Sequence, residues 1–197
     1  VGTLTVPPPG TYQELAAENQ TAIQEWLVYL KAQHDADGMR GDRAVGFWSH
    51  GPRRSGTTYL ASVAVKRAVR EKDRDLYGTI DWEYTTFAEA VELVRTGWDE
   101  TARLNPNDEG AWQDAMRVER IADRLWKECD LVWVDDVHPG VSSMEFFGRH
   151  IFPKLEYRVK MGKATVVSTS FSAKQLGILE PVVRDLFVMC EPRRAER

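Results

Sequence analysis

The stretch Gly51-Pro52-Arg53-Arg54-Ser55-Gly56-Thr57-Thr58 decides how this chain is read. Its glycines are spaced as in G-x-x-x-x-G-K-[ST], and every fixed position but one is met, since Thr57 stands where lysine is usual. Upstream, Ala44 to Ser49 is short, apolar and bounded by turn residues, as a buried strand is. Downstream, Thr57 to Arg70 carries Leu60, Val63, Ala64 and Ala68 on one face, which predicts a helix. The loop therefore joins a strand to a helix N-terminus. In that context backbone N–H groups converge on phosphate oxygens, and the helix aims its positive end at the same point.

Gly51, Pro52, Arg53, Arg54, Ser55, Gly56, Thr57, Thr58 and Tyr59 are accordingly the candidate nucleotide-binding residues, and the Thr58 hydroxyl is a candidate ligand of Mg²⁺. Without the lysine, phosphate binding is expected to weaken and hydrolysis to be slow or absent. The guanidinium of Arg53 or Arg54 can supply the charge from within the loop.

Further along, Leu131-Val132-Trp133-Val134-Asp135-Asp136 reads as an apolar strand from Asp130 to Asp135 that ends in carboxylates. Between loop and acidic strand, Thr79 to Tyr84 reads as a strand, Phe87 to Arg95 as a helix, Thr96 to Asn107 as a loop and Glu109 to Lys127 as a helix. Ser142 and Ser143 offer a cap to a helix running to about Lys160. Ala164 to Thr169 and Leu186 to Cys190 are further strands. Strand and helix alternate, which indicates a parallel sheet with helices on both faces.

Before the loop, Val1 to Gly10 holds Pro7, Pro8 and Pro9 and reads as an extended tail. Thr11 and Glu14 form a candidate capping box. Leu15, Ile23, Trp26, Leu27 and Leu30 then follow at helical spacing to about His34, and Asp35 to Arg43 is a polar, glycine-containing loop. The chain thus divides into a tail over 1–10, a helix and linker over 11–43 and a nucleotide-binding core over 44–197.

With 43% hydrophobic and 28% charged residues, the 197-residue chain has the balance of an ordinary globular protein with one sizeable core. A net charge of -4 argues against gripping nucleic acid by bulk charge. The basic cluster Lys66, Arg67 and Arg70 reads as a solvated helix face. Cys129 and Cys190 are too few for a disulfide framework and border apolar runs, so both are expected to be reduced core residues in a cytoplasmic setting. No run reaches the length of a membrane span, and no secretory signal pattern opens the sequence, so no membrane partner is expected.

From Asp130 to Cys190 the chain resembles the AAA+ core of DnaC-type replicative helicase loaders, the IstB-like group that also includes ATPase subunits of some transposons. The resemblance rests on LVWVDD at 131–136, HIFPKLEYRVKMGK at 150–163, ATVVSTSFS at 164–172 and LEPVVRDLFVMCEP at 179–192. In outline it extends from Thr11 to Pro192. It implies an α/β fold, a three-layer α/β/α P-loop NTPase core with a five-stranded parallel sheet and little or no C-terminal lid.

It also implies a site with ATP and Mg²⁺ as cofactors. Asp135 would hold the metal with Thr58, and Asp136 would polarise the attacking water. Ser170 stands in place of an asparagine sensor near the γ-phosphate, and Arg184 falls at the arginine finger that completes a neighbouring subunit's site in a homo-oligomer. Arg193 and Arg194 are either a C-terminal sensor or solvated tail residues. P-loop NTPases are expected here to place the acidic strand beside the strand of the phosphate loop. A replicative helicase is the implied partner, with single-stranded DNA as a second candidate.

Two other readings stand beside this one. Pro52 to Leu60 resembles the phosphosulfate loop of sulfotransferases, P-[KR]-S-G-T-T-x-L, with one arginine inserted, and threonine at the lysine position is normal there. A sulfotransferase using PAPS also needs a histidine base, and neither His50, beside the loop, nor His138, after the acidic strand, sits in a recognisable acceptor context; His34 and His150 read as structural or solvated. The missing lysine and altered sensor also fit a non-hydrolysing assembly subunit.

Overall fold

Five short runs of aromatic, β-branched and apolar residues form the strands of one parallel sheet in a computed structural model, which describes residues 16–35, 46–74, 80–96, 109–140 and 142–192. The proline tail, the Thr11–Glu14 cap, the loop after the first helix, the segment holding Gly97 and Pro106, and Arg193 with Arg194 lie outside the described residues.

Helix α1 (Ala17–Asp35) is followed by β1 (Gly46–His50), α2 (Thr57–Arg74), β2 (Trp82–Thr86) and α3 (Phe87–Thr96). Helix α4 (Glu109–Asp123) widens into a π-helical turn at Arg124–Glu128 before β3 (Leu131–Val137). Helix α5 begins at Met144–Phe146, passes through a π-helical turn at Phe147–Ile151 and continues over Phe152–Lys160. Strand β4 (Ala164–Thr169), a 3₁₀ turn at Lys174–Leu176, α6 (Glu180–Leu186) and β5 (Phe187–Cys190) complete the described chain. No helix among the described residues is long and apolar enough to cross a membrane.

The strand order is β2-β3-β4-β1-β5, with every pair parallel. This corrects one expectation. The acidic strand β3 does not lie beside the loop strand β1, because β4 is inserted between them, pairing Phe47 with Val166 on one side and Trp133 with Val166 on the other. Apolar patterning identifies a strand as buried on both faces, but it does not say which neighbour each crossover skips.

Alternation along the strands feeds a separate core on each face of the sheet. Phe47, Leu131, Trp133 and Val166 pack under α1 and α2, with Ile23, Trp26, Leu60 and Ala64. Trp48, Val132, Val134 and Val167 pack under α3 to α6, with Phe87, Val91, Phe147, Leu155 and Val183. Each large side chain buried this way contributes about 1.5–3 kcal/mol. Helix α1 is further tied to the end of β5 by the buried Asn19, whose Nδ2 donates to the Glu191 carbonyl at 2.9 Å and to Cys190 Sγ at 3.1 Å.

Two local features shift element ends from the sequence reading. Strand β2 runs to Thr86 because Thr86 and Glu89 form a reciprocal cap: the Thr86 N–H donates to Glu89 Oε2 at 2.8 Å, and the Glu89 N–H donates to Thr86 Oγ1 at 3.3 Å. Strand β3 runs to Val137 through a bulge, since Val134 pairs with Val167 and Val137 with Thr169, leaving one extra residue on β3. Ser143 caps α5 as expected, accepting from the Phe146 N–H at 3.1 Å.

Candidate nucleotide and metal site

The phosphate loop leaves the C-terminal end of β1, between β4 and the edge strand β5, and enters α2. Gly56 has φ +99°, a conformation that side-chain-bearing residues rarely adopt, and this turns the chain into the helix. Thr57 and Thr58 open the first turn of α2, where helix geometry supplies backbone N–H groups with no partner inside the helix. Ser49, the last residue of β1 but one, donates its hydroxyl to the Thr57 carbonyl at 3.0 Å and fixes the strand against the helix start.

Arg54 takes φ +66° in the loop, a left-handed conformation that costs a non-glycine residue about 1–2 kcal/mol. Arg53 and Arg54 are both exposed. The Ser55 hydroxyl is buried with no hydrogen-bond partner among the described atoms. An orphaned hydroxyl, a helix N-terminus and two arginines suit a polyanionic ligand such as a nucleotide phosphate.

Asp135 is the meeting point of the site. It is buried, with 7% of its surface exposed. Thr58 Oγ1 donates to its Oδ1 at 3.0 Å, and Ser168 Oγ donates to the same oxygen in a short hydrogen bond. Tyr84 donates its hydroxyl to Oδ2 at 3.4 Å. One carboxylate with a neighbouring hydroxyl is a hard oxygen donor set of the kind Mg²⁺ takes alongside substrate phosphates and water.

The other proposed catalytic residues stand further out. Asp136 is the bulged residue of β3, with φ +55° and its side chain 69% exposed. The structure pairs it with His138, whose Nε2 lies 3.7 Å from Asp136 Oδ2. The His138 Nδ1 accepts from the Gly140 N–H at 3.0 Å, which leaves Nε2 to carry the proton towards Asp136. Ser170 follows β4 and is half-buried. Arg184 is exposed on α6 and paired with Glu180 of its own helix at 2.6 Å. It lines a pocket of about 660 Å³ at the β5 edge together with Tyr29, His50, Glu180 and Glu191. Burial pushes the His50 imidazole below its ordinary pKa, against the pull of Glu191 and Glu180.

Sequence reasoning missed three residues. Ser168, two places before Ser170, is the hydroxyl that reaches Asp135. Trp133 Nε1 donates to Ser168 Oγ at 2.9 Å and holds it in place. Tyr84 rests edge-on against Trp133, with ring centroids 4.9 Å apart. Period-two alternation was the available signal, because Trp133 and Asp135 share one face of β3. Burial pushes the Tyr84 phenol pKa up, and the charge of Asp135 adds to this, so at neutral pH it is an O–H donor.

Comparison with solved structures decides the fold class. A structure of the DnaI protein matches at 18% identity with TM-score 0.54, covering 91% of this chain and 88% of that one. A structure of the DnaC helicase loader matches at 14% identity with TM-score 0.53, over 93% and 95% of the two chains. The Aeropyrum pernix ORC2 protein matches at 15% identity with TM-score 0.55, over 94% of this chain. The fold is that of the P-loop AAA+ core. The chain spans about half of the longer AAA+ proteins it resembles, 50% of ORC2 and 47% of a DnaA initiator. No protein-family model matches the sequence, and no curated protein sequence does.

Proposed function

We propose that this AAA+ core binds ATP·Mg²⁺ and serves in DNA replication as a helicase loader-like factor. The observation that carries the reading is the 3.0 Å contact between Thr58 and Asp135, which joins the phosphate-loop helix to the acidic strand across an intervening strand. Thr58 and Asp135 would hold Mg²⁺, which when bound neutralises charge on the phosphates. The α2 N–H groups, Ser55 and the loop arginines would hold the phosphates themselves.

Asp136 and Ser170 are the groups assigned to water, and Arg184 acts on an adjacent subunit after exchanging Glu180 for a phosphate. A replicative helicase is the partner class, with single-stranded DNA second. The folds of a DnaC helicase loader and of a DnaA bound to AMPPCP and single-stranded DNA support this assignment.

Sedimentation with and without ATP·Mg²⁺, run alongside phosphate release, tests it. ATP-dependent assembly with slow turnover that is lost in Arg184→Ala supports the reading. Assembly indifferent to ATP in a protein that does bind ATP would remove the loader-like mechanism. Thr57 at the lysine position favours a second reading, a nucleotide-binding assembly subunit without hydrolysis, which assembles with ATP but releases no phosphate.

A further inference from the structure

Asp135 is gripped from both sides by the hydroxyls of three residues, of which a single indole contacts two, Ser168 and Tyr84. Its Oδ1 accepts from Thr58 and Ser168, and its Oδ2 faces Tyr84. Trp133, two residues earlier on the same face of β3, donates Nε1–H to Ser168 and carries the Tyr84 ring edge-on at 69°. Strand register places Tyr84 opposite Trp133 and Thr86 opposite Asp135, so the phenol must reach forward along β3 to meet the carboxylate.

We infer that Tyr84 is a positioning residue of the metal site, holding Oδ2 of Asp135 so that the buried carboxylate meets the cation in one orientation. This rests on the reading of Thr58 and Asp135 as the Mg²⁺ pair. Three observations support it. The neighbouring acid Asp136 is turned out by the bulge, so it does not brace Asp135. Tyr84 is 41% exposed, so its hydroxyl is not needed to satisfy a sealed core. Its 3.4 Å contact is long enough to tighten when the site is loaded, as hydrogen bonds around unliganded sites do. Groups that orient a metal ligand typically change metal affinity by about 10- to 100-fold when removed.

The test is Tyr84→Phe, which keeps the ring on Trp133 and removes only the hydroxyl. Affinity for a fluorescent ATP analogue is measured in Mg²⁺ and again in EDTA. The indole N–H resonance of Trp133 is followed by NMR as Mg²⁺ is added to the nucleotide complex.

Tyr84→Phe is expected to weaken binding about tenfold in Mg²⁺ and to leave binding in EDTA unchanged. The Trp133 resonance should shift with Mg²⁺ in the wild type, and only at higher Mg²⁺ in the variant. An equal Mg²⁺ gain in both proteins overturns the role of Tyr84 and leaves the site assignment standing. Equal weakening in Mg²⁺ and EDTA also overturns it, as a merely structural effect. No Mg²⁺ gain in the wild type overturns both readings.

Discussion

Thr58 donates its hydroxyl to Oδ1 of Asp135 at 3.0 Å, although their elements begin from strands that are not neighbours in the sheet. The contact holds the start of α2 against the end of β3, so it bears on stability as well as on the proposed metal site. Thr58→Val and Asp135→Asn are each expected to destabilise the fold and abolish the Mg²⁺ gain in nucleotide affinity. Because the two side chains touch, their stability effects should be non-additive by about 0.5–3 kcal/mol in a double-mutant cycle followed by urea unfolding. Simple additivity would show that the pair does not interact in solution.

Arg54 combines a strained backbone with a useful charge. Arg54→Gly relieves the left-handed φ of +66° and is expected to stabilise the protein by about 1 kcal/mol in urea unfolding. The same change should weaken nucleotide binding, because a loop without lysine then has Arg53 as its remaining arginine. Arg54→Ala should weaken binding similarly without the stabilisation. Loss of stability in the glycine variant would contradict the strain argument.

Arg158 is fully buried, and its guanidinium donates to the carbonyls of Leu125, Cys129 and Ala164 at 2.9, 3.0 and 3.2 Å. It thereby links the π-helical turn after α4 to the start of β4. Burial pushes its pKa down, while the carbonyls that accept its N–H groups favour the charged form. Arg158→Met keeps most of the apolar stem and removes every donor. It is expected to cost about 3 kcal/mol by chemical denaturation, since hydrogen bonds to charged groups contribute about 1.5–3 kcal/mol each. A loss below about 1 kcal/mol would show that the carbonyls find other partners.

His50 makes stability depend on pH. Its folded pKa lies below the model-peptide value of about 6.5, so the fold favours neutral imidazole. Above about pH 6.5 this contribution is fully present. As the pH falls below that, the unfolded chain takes up the proton first, and stability drops until the folded pKa is also passed. The groups that face it are Glu191 and Glu180, which oppose the shift, and Arg184, which adds to it. The midpoint temperature should therefore fall more steeply between about pH 7 and 5 in the wild type than in His50→Gln. Parallel slopes would assign the dependence to other groups.

Much of this fold can be read from the chain. The apolar run from 164 to 169 is a strand with the expected ends, and the 51–58 loop does join a strand to a helix. At the candidate site, Thr58 and Asp135, singled out from two separate motifs, lie in contact. What could not be read depends on relationships between segments. The insertion of β4 between β1 and β3 is a choice of crossover, which leaves no trace in periodicity. The bulge that turns Asp136 outward arises where β3 and β4 fall out of step, and no single strand records that. Tyr84 and Ser168 become site residues only because β2 and β4 flank Asp135. Arg158, read as part of an ordinary helix, is buried because the carbonyls of two other elements converge on it.

The most direct test of the central claim is equilibrium binding of a fluorescent ATP analogue to the full chain in Mg²⁺, competed separately by ATP and by the sulfate donor PAPS. Displacement by ATP, with little by PAPS, is the result this account predicts. Preferential displacement by PAPS would contradict it in favour of a sulfotransferase. Failure of the analogue to bind at all would contradict the nucleotide site itself.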